Sequence, residues 1–408
     1  MADSDLFSSL AQSIRQRFDG EHRVLSFWEF LSEVRQNPYR LLRSSAQYLR
    51  DMLEHFGSQK TLALGEEIER HRLFDGLDSD PDRQRVAGQE LALDAIYRVV
   101  RNFATEGDSD RLILMHGPNG SSKTTIADLI FKGLEAYSHT TEGVLYKFSW
   151  VFPKSGEKVR GLGFGASSKT GEIEEDLDTY AYLALDDIAS VLMSDLKTNP
   201  IYLVPREMRA GFLKELAGDQ LDFPLNHILR GDIGTKSRAI FDALLTAHQG
   251  NWHEVMRYVR VERFYVSRRY RSAAISIEPQ ANVDAEARQV TADMNLNNLP
   301  SSLQNLRLYE LAGDLVDANR GLVEYSDFLT RNPELNKYLL TTTEKGTIRV
   351  PGALAYLDLV MIGSANEKQL LEFKARQEFS SFKGRMELIC VCLLYTSDAA
   401  DDQGLGEG

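Results

Sequence analysis

Cysteine is nearly absent. Only Cys390 and Cys392 occur among 408 residues, two positions apart at the end of the chain. They are too few and too close together to staple a secreted fold, so a reducing, cytoplasmic setting is expected. Long apolar runs are missing as well, and the opening MADSDLFSSL has no basic-then-apolar leader. No membrane partner is therefore expected. Positive charge is also in deficit, with 47 Lys and Arg against 60 Asp and Glu and a formal net charge of −13. That balance disfavours a general nucleic-acid coat, which needs a positive field. Internal repeats and low-complexity tracts are absent too. What remains is an ordinary globular composition, 43% apolar and 26% charged, in a chain long enough for two or three domains.

The first segment, residues 1–60, reads as a small helical cap. Ser26 and Glu29 make a capping box ahead of FWEFL, and Asn37-Pro38 opens a second helix whose apolar positions recur at helical spacing until Gly57. Residues 61–85 are charged and turn-rich, as a linker would be. Alternation then begins with an amphipathic helix at 88–103, an apolar strand at 111–116 (RLILMH) and another helix at 124–137. Strand and helix in turn define an α/β class with a parallel sheet. The pattern fades over about 151–238, which reads as a large mixed insertion. It resumes with a strand candidate at 321–327, a helix around 325–340 and a strand at 355–364. The core is thus expected over 86–391.

The clearest chemical signal is Gly117-Pro118-Asn119-Gly120-Ser121-Ser122-Lys123-Thr124, with Thr125 next to it, between an apolar strand and a helix. That context is what a phosphate-binding P-loop requires. Backbone N–H groups cradle the phosphates of ATP, Lys123 supplies a point charge, and the Thr124 hydroxyl reaches Mg²⁺. Ser122 stands where the pattern has glycine, and a weaker fit around a helical start is expected there. The plain alternative is a glycine-rich turn without a ligand. A second SSKT at 167–170 follows no apolar strand and precedes GEIEEDLD, whose acid would repel a triphosphate; it reads as a surface loop, with a nucleotide-covering lid as the alternative.

Hydrolysis needs a carboxylate at the end of a neighbouring strand. Two stretches compete, YLALDD ending in Asp186 and Asp187, and GLVEYSD with Glu324 and Asp327. Only the second is followed by an apolar strand, LDLVMIG, ending in Ser364-Ala365-Asn366, and then by FKGR with Arg385. This succession is similar to an AAA+ arrangement. It assigns Glu324 and Asp327 to Mg²⁺ and water, with Asp327 as metal ligand alongside Thr124. Asn366 would orient the attacking water, and Arg385 would act as an arginine finger toward a neighbouring copy, which implies a homo-oligomer. Asp186 and Asp187 stay open as the rival pair, their plain reading being the start of a helix over IASVLMSDL. Asn366 could equally be a turn residue and Arg385 a surface ion pair. Basic and aromatic residues interleave in RYVRVERFYVSRRYR (257–271), a pattern that can bind single-stranded nucleic acid. Because the aromatics alternate as strand core would, an exposed strand face or subunit contact is the preferred reading, and nucleic acid is not an expected partner. No spacing of the histidines and cysteines suggests a metal site.

Over nearly its whole length the chain resembles the PrkA family of bacterial serine protein kinases. The segments that carry the likeness are SFWEFLSEVRQNP, VAGQELALDAI, VERFYVSRRYR, LVDANRGLVEYSDFLTRN, LVMIGSANE and FSSFKGRMEL, in that order. The resemblance implies an AAA+ P-loop ATPase module whose Mg-ATP serves protein Ser/Thr phosphorylation in stress or starvation signalling, with an unidentified protein substrate. It supports the roles of Lys123, Thr124, Glu324, Asp327, Asn366 and Arg385, and it sets Val86, Ala87 and Gly88 near the adenine. The loops of eukaryotic-type kinases, HRD and DFG, do not occur in the sequence. A remodelling ATPase without kinase activity, or a nucleotide-gated binding module using the arginine-rich segment, are the alternatives. From Cys392 the text turns abruptly small and acidic, and LLYTSDAADD resembles translated sequencing adaptor; residues 392–408 are expected to be non-native.

Overall fold

The computed structural model describes residues 10, 23–63, 65–78, 80–154, 179–279, 285–289, 308–331 and 337–392. A short strand β1 (Val24–Ser26) runs into helix α1 (Phe27–Gln36), started by the expected capping box: the Ser26 side chain accepts from the Glu29 N–H, and the Glu29 carboxylate accepts from the Ser26 N–H. The helix expected from Pro38 to Gly57 is broken in two, α2 (Pro38–Leu42) and α3 (Ser45–His55). A second capping box explains the break, because Ser44 and Gln47 exchange side-chain-to-backbone bonds and restart the helix. The segment does not close on itself. Phe27, Phe30 and Val34 of α1 pack under one sheet, whereas Tyr48, Leu49 and Met52 of α3 join the core of another.

Residues 61–85 also differ from expectation. A hairpin, β2 (Ser58–Ala63) with β3 (Glu66–His71), occupies the first part. Its charges are partly paired: Arg70 is bridged to Asp75 at 2.7 Å and to Glu90 at 2.9 Å, and Asp80 to Lys132 at 2.8 Å. Helix α4 (Glu90–Glu106), strand β4 (Leu112–His116) and helix α5 (Lys123–Ser138) then follow as the sequence indicates.

Two sheets organise the rest. The antiparallel one comprises β5 (Leu145–Pro153), β6 (Ile188–Met193) and later β7 (Val259–Phe264), in the order β1-β7-β5-β6. The insertion expected over 151–238 is therefore framed more widely, by β5 on one side and β7 on the other. Between β6 and β7 lie α6 (Arg206–Ala217), α7 (Asn226–Arg230), α8 (Thr235–Ala247) and α9 (Trp252–Met256). IASVLM is a strand rather than the helix read from the sequence; Ser190 and Leu192 are buried while Val191 is less so, the alternation of a sheet edge.

The parallel sheet collects β8 (Ala274–Ile277), β11 (Gly321–Tyr325), β14 (Leu359–Ala365), β4 and β15 (Met386–Cys390), in the order β15-β4-β14-β11-β8. Strands β9 (Glu286–Gln289) and β10 (Tyr309–Ala312) pair beside it, followed by α10 (Asp314–Ala318). Helix α11 (Lys337–Lys345) and the hairpin β12 (Thr347–Val350) and β13 (Ala353–Tyr356) precede β14; α12 (Glu367–Lys374) and α13 (Phe379–Lys383) precede β15. Of the helix expected around 325–340, the described residues show a 3-10 turn at Phe328–Thr330 and helix from Lys337 on, with 332–336 outside the described residues. Both faces of the parallel sheet are covered, which is why its strands read as continuous apolar runs. Ile113, Met115, Val360 and Ile362 face one core; Leu112, Leu114, Leu359 and Met361 face the other. The buried Arg320, at the start of β11, joins the two sheets by donating to the carbonyls of Tyr146 and Lys197 and lying over Phe264.

Candidate active site

The loop 117–124 lies where β4 hands over to α5, at the carboxyl edge of the parallel sheet. Gly117 is required by space: a Cβ there would come within 2.1 Å of the Val391 carbonyl oxygen, and the Val391 N–H donates to His116 at 2.7 Å. Ser122 is left-handed at φ 70°, ψ 13°, not the helical start expected, and its side chain caps nothing. Lys123 folds back on the loop, donating to the carbonyls of Gly117 at 3.0 Å and Pro118 at 2.8 Å and to Ser121 Oγ at 3.2 Å. Those are groups it can exchange for phosphate oxygens. Burial lowers the Lys123 pKa and the charge of Asp327 raises it, so these two residues from distant strands feel one another. Thr124 is exposed and Thr125 half-buried at the first turn of α5, which has no acid there to oppose an anion.

The strand order sets the remaining groups. β14 separates β4 from β11, and Ala365 pairs with His116, so Asn366 follows directly beside Gly117. Its Oδ1 accepts from the Gln369 N–H at 2.8 Å as the cap of α12, the turn role the sequence left open, while Nδ2 has no partner among the described residues. Asp327 sits just beyond β11 in a left-handed conformation, φ 45°, with its N–H donating to Ser364 Oγ at 3.1 Å. Glu324 turns inward: it is buried, accepts from Ser326 Oγ at 3.0 Å and from Ser276, and its pKa is raised by that burial. Arg385 lies at the opposite edge of the sheet. Its carbonyl accepts from the Leu112 N–H, and its guanidinium donates to Glu344 at 2.9 Å and to the Ser381 carbonyl at 3.0 Å. It is thus separated from its own loop by the length of β4, about 16 Å at 3.3 Å per residue.

Asp186 and Asp187 form a short 3-10 turn ahead of β6, on the antiparallel sheet and on no strand neighbouring β4. The second SSKT, 167–170, lies outside the described residues. Val86 is buried with Ile126 and Val391, which flank the loop, while Ala87 and Gly88 are exposed. The arginine-rich segment is largely committed internally. Arg257 bonds Glu254, Arg260 the Ala181 carbonyl, Arg263 the Ser138 and Thr140 carbonyls, Arg268 Asp128, and Arg271 Asp314. Sequence reasoning missed Ser276 and Val391, which hold Glu324 and the loop, and gave no role to Ser364, which holds Asp327. A polar residue at the end of an apolar strand is the signal that marks the two serines.

The PrkA AAA domain family matches residues 159–401, more than half of the chain. The chain belongs to the PrkA AAA domain family. With membership come the AAA+ P-loop fold, visible here as the five-stranded parallel sheet, and ATP binding. The matched span of the PrkA family begins beyond the loop at 117–124. A curated relative, the ATP-dependent protease PrkA of Bacillus subtilis (strain 168), is 20% identical over 364 residues, which is 88% of this chain and 47% of that protein. The chain therefore spans about half the length of the relative. No helix among the described residues is long and apolar enough to cross a membrane, and none of their His, Cys, Asp and Glu side chains cluster in threes as a metal site would.

Proposed function

We propose that this PrkA-family AAA ATPase binds Mg-ATP on the loop 117–125 and hydrolyses it with Asp327 and Asn366 of the same chain and Arg385 of a neighbouring copy. The observation that carries the reading is the sheet itself: the loop, Asn366 and Asp327 share one edge, and Arg385 lies at the other. In use, the loop N–H groups and the amino end of α5 would take the triphosphate, and Lys123 would exchange its loop carbonyls for phosphate oxygens. Thr124 and Asp327 are hard oxygen donors that suit Mg²⁺, which when bound would neutralise developing charge on the phosphate oxygens. Asp327, fixed by Ser364, would orient water, and Asn366 would donate through Nδ2. Glu324, buried on Ser276 and Ser326, supports the strand end from behind. Arg385 is too far from its own loop to serve it, which favours a homo-oligomer.

The relative's name, an ATP-dependent protease, supports an output of work on protein substrates. Protein serine phosphorylation, implied by the family resemblance, is the rival output, and transfer of labelled γ-phosphate to a protein distinguishes them. For the ATPase itself, Lys123→Ala should abolish ATP binding. Asp327→Asn should bind ATP and leave it unhydrolysed while Asp186→Asn hydrolyses normally; the reverse pattern would move the site to the antiparallel sheet.

A further inference from the structure

At the amino edge of the parallel sheet, opposite the loop, α11 and the β12–β13 hairpin enclose a cavity of about 510 Å³ with the first residue of α6 and the last of α7. Four cations line it, Arg206, Arg230, Lys345 and Arg349, and no carboxylate does among the described residues. This occurs in a chain whose acids outnumber its bases 60 to 47. Arg230 shares its charge with Asp108 at 3.1 Å. Arg206, Lys345 and Arg349 have no ion pair within the described residues; Glu344, next to Lys345 in sequence, is bridged to Arg385 and feels the Lys345 charge only more weakly.

We infer that this cavity is a second ligand site, for a nucleotide-sized small molecule carrying at least two phosphate groups. Three cations without an ion pair among the described residues repel one another in one concavity until an anion enters, and guanidinium forks match phosphate oxygens in pairs. Hydroxyls of Thr341 and Thr347 add neutral donors. A planar ring also has a place: Tyr356 lies beneath Arg206 at 5.9 Å, and Leu354, 42% exposed, supplies an apolar wall. The volume falls within the range of small-ligand sites, about 300–1,000 Å³. An extended polyanion is a poorer occupant, because the adjoining cavity sets four carboxylates, Asp108, Asp232, Glu344 and Asp358, against four cations, Arg43, Arg230, Arg320 and Lys345, so the surplus of positive charge stops at this pocket.

The test is a fluorescence titration of the full chain with a methylanthraniloyl GTP, with inorganic triphosphate as competitor and a short single-stranded RNA in parallel. The wild type should show two classes of site. Lys345→Glu and Arg349→Glu should each weaken one class by about tenfold or more while Arg349→Lys largely retains it, and Lys123→Ala should remove only the other. Both charge reversals are at exposed positions, so folding, checked by circular dichroism, should be unaffected. A single class removed by Lys123→Ala and unmoved by the reversals overturns the second site and leaves the loop assignment standing. RNA binding lost in Arg349→Glu, with nucleotide binding unchanged, overturns the small-molecule occupant.

Discussion

Ser122 offers a measurement whose sign follows from one dihedral angle. At φ 70° an L-residue brings its Cβ against the following carbonyl, a cost of about 1–2 kcal/mol that glycine does not incur. Substituting glycine also loosens the unfolded chain, which takes back about 0.4–1 kcal/mol. The Ser122 side chain makes no cap hydrogen bond, so nothing further is lost. Ser122→Gly should therefore stabilise the protein by about 0.5–1 kcal/mol, a rise in melting temperature of roughly 1 °C for a chain of 408 residues. Ser122→Val should move the other way, because a β-branched residue tolerates this region worst. Thermal unfolding of the three proteins without nucleotide measures the order. Saturating ATP should raise all three, since binding to the folded state adds its own stabilisation. A lower melting temperature for Ser122→Gly, or a neutral Ser122→Val, would refute the left-handed assignment.

Gly117→Ala must displace the Val391 carbonyl and should lower the denaturant midpoint by an amount equivalent to about 2 kcal/mol, whereas Gly120→Ala meets no atom within 4 Å and should cost only its backbone strain at φ 81°, about 1 kcal/mol. Equal losses would contradict the close approach of β15 to the loop. Arg385→Ala should keep ATP affinity and lose about 10³-fold in turnover at high protein concentration; turnover independent of concentration in the wild type removes the trans finger. Burial pushes Lys197 down from its usual 10.5 to about 8, with its Nζ donating to the Asp317 carbonyl. Below about pH 8 the ammonium is charged in both states and its burial destabilises the fold by at most about 3 kcal/mol. Between about 8 and 10.5 the unfolded chain holds more protons, so stability should rise with pH; Lys197→Met should flatten that rise, and an unchanged slope would show that another group causes it.

Local signals in the sequence carried as far as local physics does. The Ser26 box, α4, β4, α5 and the apolar β14 are legible because caps and periodicity act within a few residues. The second box at Ser44 and Gln47 obeys the same rule but is hidden inside a longer helical pattern. What failed depended on partners far along the chain. IASVLM becomes a strand because β5 pairs with it, and the charged run after Thr61 becomes a hairpin whose Arg70 finds Glu90. The arginines of 257–271 looked available because their partners, such as Asp128 and Asp314, are remote in sequence. At the site, motif order indicated Asp327 and Asn366. Only the register of β14 against β4 brings Asn366 beside Gly117, and only the pairing of β15 with β4 shows which edge holds Arg385.

That last pairing has a mechanical reading. β4 and β15 lie in register over five residues each, hydrogen-bonded at one end from Leu112 to Arg385 and at the other from Val391 to His116. A paired ribbon of this length is stiff, with no glycine or proline in either strand to bend it. A displacement of Val391 by the loop would reach Arg385 with little loss across about 16 Å. On the proposed site and assembly, the ribbon would be a stiff link between one chain's nucleotide loop and the surface that meets the next chain.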